Sequence, residues 1–165
     1  MKRAVWLPFW CACALLLSSC AQVELKAPEA VQFDLLGRIS AKYRDDGFTG
    51  NVNWRHAAAG DEMLITTPLG QGVARIVRQG DAVQLTTAEG KEFRAPDSES
   101  LTERVLGFRL PIEGLADWVQ GKPSPTLEQR GWKVEYLQRD EQNRPRLMRM
   151  TYQGVEVRFA VTEWR

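Results

Sequence analysis

The sequence predicts a mainly β protein, a meandering antiparallel sheet with two short helices set into it. Three observations predict this. From Asp34 onward, apolar and polar residues alternate with period two in short runs. Glycine-containing turns separate the runs at regular intervals. Between residues 100 and 121 the period becomes helical, with proline at its borders. Short, regularly spaced strands of this kind form hairpin-connected sheets.

The elements follow in order. Leu35, Gly37, Ile39 and Ala41 alternate with Leu36, Arg38, Ser40 and Lys42, and Arg44-Asp45-Asp46-Gly47 turns the chain. Phe48, Gly50, Val52 and Trp54 alternate with Thr49, Asn51, Asn53 and Arg55 up to a turn at Ala59-Gly60-Asp61. A short strand from Met63 to Thr66 ends at Pro68. Residues 72–78, 82–87 and 91–94 read as three more strands, separated by the Gln79-Gly80-Asp81 and Glu89-Gly90 tips. Ser100 with Glu103 has the capping-box spacing, Leu101, Val105 and Leu106 share a helical face, and Gly107 supplies a stop. Pro111 opens a second helix with the stripe Leu115, Trp118 and Val119, closed by Gly121. Pro123 and Pro125 prevent its continuation. Strands return over 132–136, 147–152 and 155–161, with Trp164 close behind. One sheet face is apolar and must be covered, and the helices are the only lid available. Periodicity leaves open whether the space beneath is a filled core or a hollow.

The N-terminus is of another kind. Lys2 and Arg3 precede an apolar stretch from Ala4 to Leu17, and no acidic residue occurs before Glu24. Leu17-Ser18-Ser19-Cys20 follows. A basic start, an apolar run and a small-residue site make a secretory signal. A cysteine directly after Leu-Ser-Ser matches the bacterial lipobox, in which the thiol receives a diacylglyceryl group and becomes the new N-terminus. The run is shorter than the roughly 20 residues that span a bilayer, and it contains Pro8. The expectation is a leader over 1–19, a lipidated N-terminus and tether over 20–32 with one helical turn before Phe33, and a single domain over 33–165. Without Lys2 and Arg3, 20 basic residues face 21 acidic ones, so no basic excess argues for nucleic acid. Cys11 and Cys13 leave with the leader. Cys20 is then the only cysteine, used for acylation, and no intrachain disulfide can form.

No catalytic or metal-binding motif emerges. His56, at a strand end beside a turn, reads as an exposed turn residue, and without a neighbouring Cys or carboxylate set it makes no zinc site. Ser40 and Ser100 lack a motif that would bring a base beside them. Gly70-Gln71-Gly72 lacks the dinucleotide pattern and the Walker lysine, and Asp45-Asp46-Gly47 is too short for a calcium loop. No cofactor is expected beyond the acyl and diacylglyceryl groups on Cys20. Two features are more pointed. Trp54, Trp118, Trp132 and Trp164 each lie on an apolar face, as ordinary core or as the lining of an acyl-chain cavity. Thr67-Pro68-Leu69-Gly70-Gln71 is a surface turn with a leucine at its tip, either folded back on its neighbours or projecting into a membrane or partner.

Taken in order, several short stretches resemble the LolB family of outer-membrane lipoprotein receptors. They are Phe33-Asp34-Leu35-Leu36-Gly37-Arg38-Ile39-Ser40, Gly50 to Trp54, Thr67-Pro68-Leu69-Gly70-Gln71, Leu101-Thr102 with Leu106-Gly107, Leu110-Pro111-Ile112 with Gly114-Leu115, Trp118-Val119-Gln120-Gly121-Lys122-Pro123, Gln129-Arg130-Gly131-Trp132 with Tyr136, and Glu163-Trp164. The resemblance implies an incomplete antiparallel β-barrel with a helical lid around an apolar cavity. It implies a monomeric, non-enzymatic receptor, lipid-anchored on the periplasmic face of the outer membrane. Such a receptor takes lipoproteins by their acyl chains from a LolA-type periplasmic carrier and inserts them into that membrane. The alternative is a structural or interaction lipoprotein with a filled core. The resemblance assigns membrane delivery to the loop of Pro68, Leu69 and Gly70, and the acyl-chain cavity or lid to Ile39, Trp54, Leu106, Leu115, Trp118 and Trp132. Ala21, after the lipidated cysteine, is consistent with the outer membrane, because an aspartate there retains enterobacterial lipoproteins in the inner one. Two stretches are shorter than the family pattern. About a dozen residues separate Cys20 from Phe33, which leaves the first lid helix short or missing, and an abbreviated 125–129 puts a strand at stake.

Overall fold

The computed structural model describes residues 30–165. The leader, Cys20 and the tether as far as residue 29 lie outside them. The chain runs β1 (Val31–Tyr43), β2 (Asp46–Ala57), β3 (Gly60–Thr66), β4 (Gly72–Gln79), β5 (Ala82–Thr87), β6 (Glu92–Ala95), α1 (Ser98–Leu106), α2 (Ile112–Val119), α3 (Pro125–Gln129), β7 (Lys133–Arg139), β8 (Pro145–Tyr152) and β9 (Val155–Trp164). All pairings are antiparallel. The strand order is β6-β5-β4-β3-β2-β1-β9-β8-β7, so two meanders flank the helices and meet where β9 lies beside β1.

Alternation places the apolar residues on one face. Leu35 opposes Trp54, Gly37 opposes Val52 and Ile39 opposes Gly50, and the series continues through Met63 with Ile76 and Ile76 with Leu85. Val83 and Leu85 of β5 and Met148 and Met150 of β8 belong to one buried cluster with Leu101, Leu115 and Trp118 of the helices. A flat sheet would hold β5 and β8 roughly 30 Å apart at about 4.8 Å per strand, so a single shared core requires the sheet to curl. The edges β6 and β7 are not paired with each other. The architecture is therefore an incomplete antiparallel barrel with the helices filling its open side.

The structure differs from the sequence reading at three places. β1 begins at Val31, inside the expected tether, because Val31 pairs with Ala57 and Phe33 with His56. No helical turn precedes Phe33 among the described residues. The cap of α1 is Asp97, not Ser100. The Asp97 carboxylate accepts from the Ser100 N–H at 2.7 Å and from the Ser100 hydroxyl at 3.0 Å, so Ser100 lies inside the helix. These hydrogen bonds, the backbone one foremost, hold the Asp97 carboxyl below its ordinary pKa. Gly107 does end α1 in the left-handed conformation, and its N–H donates to the Glu103 carbonyl.

The third difference is a one-turn helix, α3, over the 125–129 connection. α2 already ends at Val119, with Gly121 left-handed just beyond, and Pro125 sits at the start of α3, where its fixed φ and missing N–H cost nothing. Leu127 of α3 is buried directly over Gly114 of α2. A Cβ at Gly114 would come within 2.5 Å of Leu127 Cγ, so only glycine permits this approach.

Candidate functional site

Beneath α1 and α2 lies a small apolar cavity of about 50 Å³. Strands supply Ile39, Phe48, Val52, Trp54, Met63, Ile65, Ile76, Met150 and Phe159, and the lid side supplies Thr102, Leu106, Leu110, Ile112, Leu115 and Val119. The one polar lining residue is neutralised locally. The Thr102 hydroxyl donates to the Ser98 carbonyl at 2.9 Å and accepts from the Leu110 N–H at 2.8 Å, which leaves the space without an unpaired polar group. A void this small and this apolar stays dry, and it is far too small for an acyl chain while the lid is closed.

Four of the six residues expected at the cavity or lid line this space: Ile39, Trp54, Leu106 and Leu115. Trp118 and Trp132 do not line it. Trp118 is fully buried on α2, and its backbone carbonyl accepts from the Tyr136 hydroxyl at 3.1 Å. Trp132 is buried against Tyr152, with ring centroids 5.1 Å apart and nearly parallel. Trp164 is partly buried, edge-on to Phe33.

The loop between β3 and β4 is the second element. Pro68, Leu69 and Gly70 form its tip, and Leu69 is 91% exposed. The backbone beneath is cross-braced. Thr67 N–H donates to the Gln71 carbonyl at 2.8 Å, Gly70 N–H to the Thr67 carbonyl at 2.9 Å, and Asn51 Nδ2 to the same carbonyl at 3.2 Å. Gly70 has φ of 87°, a conformation that favours glycine and lets the chain reverse in so few residues. The leucine therefore projects from a rigid mount. Of its two readings, the projecting one is the geometry found.

Sequence reasoning missed a third element, a buried polar hub. His56 is not an exposed turn residue. It is 9% exposed, stacks on Phe33 with centroids 4.9 Å apart, and shares a 2.6 Å hydrogen bond between Nδ1 and Asp61 Oδ1. Trp54 Nε1 donates to the same oxygen at 2.7 Å, and Arg78 Nε donates to Asp61 Oδ2 at 2.6 Å. Burial pushes the Asp61 carboxyl up, but the bonds from His56, Trp54 and Arg78 outweigh it and hold the pKa below its ordinary value. The hub reaches the lid. Arg78 Nε lies 3.8 Å from Glu113 Oε1 of α2, the Ser98 hydroxyl of α1 donates to Glu113 Oε2 at 2.7 Å, and Ile112 N–H donates to Ser98 Oγ at 3.1 Å. A signal was available. His56 continues the inward series Phe48, Gly50, Val52, Trp54, and the hairpin register sets it directly opposite Asp61.

Fold and interior define a class: an incomplete antiparallel barrel roofed by helices over an apolar interior, with no polar group directed into it. Within that class the chain belongs to the LolB family, described as outer membrane lipoprotein LolB, which matches residues 31–164. An outer-membrane lipoprotein LolB from Thiobacillus denitrificans is 35% identical over 159 residues, covering 87% of this chain and 86% of that protein. Another from Azoarcus sp. is 33% identical over 93% of this chain and 92% of that protein. Among solved structures, a LolA superfamily protein from Nitrosomonas europaea aligns with 84% of this chain and 86% of its own, at a TM-score of 0.48 and 11% identity.

Proposed function

We propose that this chain is a lipid-anchored, monomeric receptor on the periplasmic face of the outer membrane. It accepts lipoproteins from a LolA-type periplasmic carrier and inserts them into that membrane, with no catalytic step. The observation that supports the reading is the apolar interior, lined by groups from the sheet and from both roofing helices. Client acyl chains enter that interior when the roof lifts. Their movement is a difference of affinities, and about 1.4 kcal/mol in favour of the receptor suffices for a tenfold preference. Leu69 then meets the bilayer. Burying one leucine contributes about 1.5–3 kcal/mol, enough to orient the loop and too little to anchor the protein. Anchoring falls to the acyl and diacylglyceryl groups on Cys20, at about 0.8 kcal/mol per buried methylene.

The test is transfer of a triacylated lipoprotein from its soluble carrier to phospholipid vesicles that hold the full acylated chain. Vesicles carrying the chain are expected to acquire the lipoprotein, and equal acquisition by bare vesicles would sink the reading. The second reading, a structural lipoprotein with a filled core, is favoured by the small volume of the cavity. It is separated by displacement of a fluorescent fatty acid, for which a permanently filled core shows no saturable binding.

A further inference from the structure

The roof is held differently at its two ends. At one end lie the first turns of α1 and α2. Ser98, Ile112 and Glu113 are hydrogen-bonded to one another there, and Glu113 faces Arg78 of the wall. At the other end, α1 finishes at Leu106 and Gly107 and leans towards the β1–β2 hairpin. Tyr43 meets Phe108 there, with ring centroids 5.7 Å apart, and Phe48 and Leu106 close the gap. No side-chain hydrogen bond joins residues 105–108 to β1 or β2 among the described residues.

Outside that end lies an open groove of about 260 Å³, in which Tyr43, Phe48, Val105, Leu106 and Phe108 form the apolar wall and Asp46 of the hairpin contributes a polar margin. Phe48 and Leu106 also line the small cavity. These two side chains are common to the open groove and to the apolar interior. Val105, 39% exposed, stands in the groove and takes no part in the cavity lining.

From this continuity we infer that the gap between the C-terminal end of α1 and the β1–β2 hairpin is the mouth through which a hydrocarbon chain passes, with Phe48 and Leu106 as its gate. The roof pivots on its polar end, where drawing α2 away from the wall would take Glu113 from the buried Arg78. It opens at its apolar end, where only packing is lost. A chain lying in the groove replaces the contacts that Phe48 and Leu106 give up, so opening and loading are coupled. The client's polar body stays outside, beside the hairpin tip at Arg44 and Asp45.

The inference rests on the receptor reading, and its test separates the two. Full acylated chain in phospholipid vesicles receives a triacylated lipoprotein with 16-carbon chains from its soluble carrier, and the transfer rate is measured. Val105→Trp fills the groove without touching the interior and is expected to slow transfer about tenfold, since opening and passage set the rate. Leu137→Trp, on the exposed side of β7, is expected to leave the rate unchanged. A photoreactive side chain at position 105 is expected to label the client's acyl chains during transfer, and one at position 137 is not. The labelling decides the matter should Val105→Trp fail to fold, as judged by its melting temperature. Transfer by Val105→Trp at the wild-type rate, equal slowing by Leu137→Trp, or no label at 105 overturns the mouth and leaves the receptor standing. Failure of the unmodified chain to transfer overturns the receptor itself.

Discussion

At the start of β3 the charged Asp61 is 3% exposed, while just past its end the apolar Leu69 is 91% exposed. Each reverses the usual placement of its residue type, and the two are compensated in different ways. Asp61 is satisfied within the protein by Trp54, His56 and Arg78. No described residue covers Leu69, although the loop beneath it is braced by three hydrogen bonds. A buried charge with a full set of partners is architecture. An exposed leucine on a braced loop leaves its apolar surface to its surroundings.

The comparison can be broken first at Asp61. Asp61→Asn leaves the buried Arg78 guanidinium with only the more distant, half-exposed Glu113 as counter-charge and should cost up to about 3–5 kcal/mol, read by urea unfolding. The pH dependence sharpens this. Because the Asp61 pKa is lowered in the folded protein, its contribution is full above the ordinary carboxylate range and is lost as pH falls through the lowered value. The melting temperatures of wild type and Asp61→Asn should therefore converge below about pH 4. Parallel curves would show that Asp61 is not the titrating group. Next is Trp54→Phe, which keeps an aromatic ring in the wall but removes one donor to a charged acceptor. Urea unfolding should show a loss of about 1.5–3 kcal/mol.

The smallest effect on stability belongs to the other end of β3. Leu69→Glu should change unfolding free energy by no more than about 0.5 kcal/mol, because the side chain is almost fully exposed. The same variant should take up lipoprotein from the carrier normally and fail to deliver it to vesicles. Normal delivery, or destabilisation comparable to that of Asp61→Asn, would erase the contrast.

Much of the barrel was legible in the sequence because alternation in a one-face-buried sheet leaves little freedom. The inward series of β1, β2 and β9 follow from period two alone, and Gly107 ends α1 as its position suggested. The misses share a cause: each residue was weighed by its chain neighbours rather than by what the register brings opposite. His56 looked exposed because a turn follows it, yet Asp61 and then Arg78 face it across two successive hairpins. Pro125 reads as a barrier to α2, yet α2 ends at Val119 and Pro125 begins the next helix. The resemblance sets Trp118 and Trp132 at the cavity or lid beside Trp54; Trp118 does lie on the roof helix α2, and neither ring lines the void. Which apolar residue meets a void depends on the curl of the sheet and the tilt of the roof, and neither leaves a mark on local periodicity.

The seam between the two meanders has a consequence for biogenesis. Among the described elements β1 comes first and β9 last, and the two pair. The Thr162 hydroxyl donates to the Leu36 carbonyl across 126 residues of sequence. Until β9 is in place, both β1 and β8 lack a neighbour on one side. Assembly of the sheet is therefore delayed by a long-range pairing that comes slowly by nature.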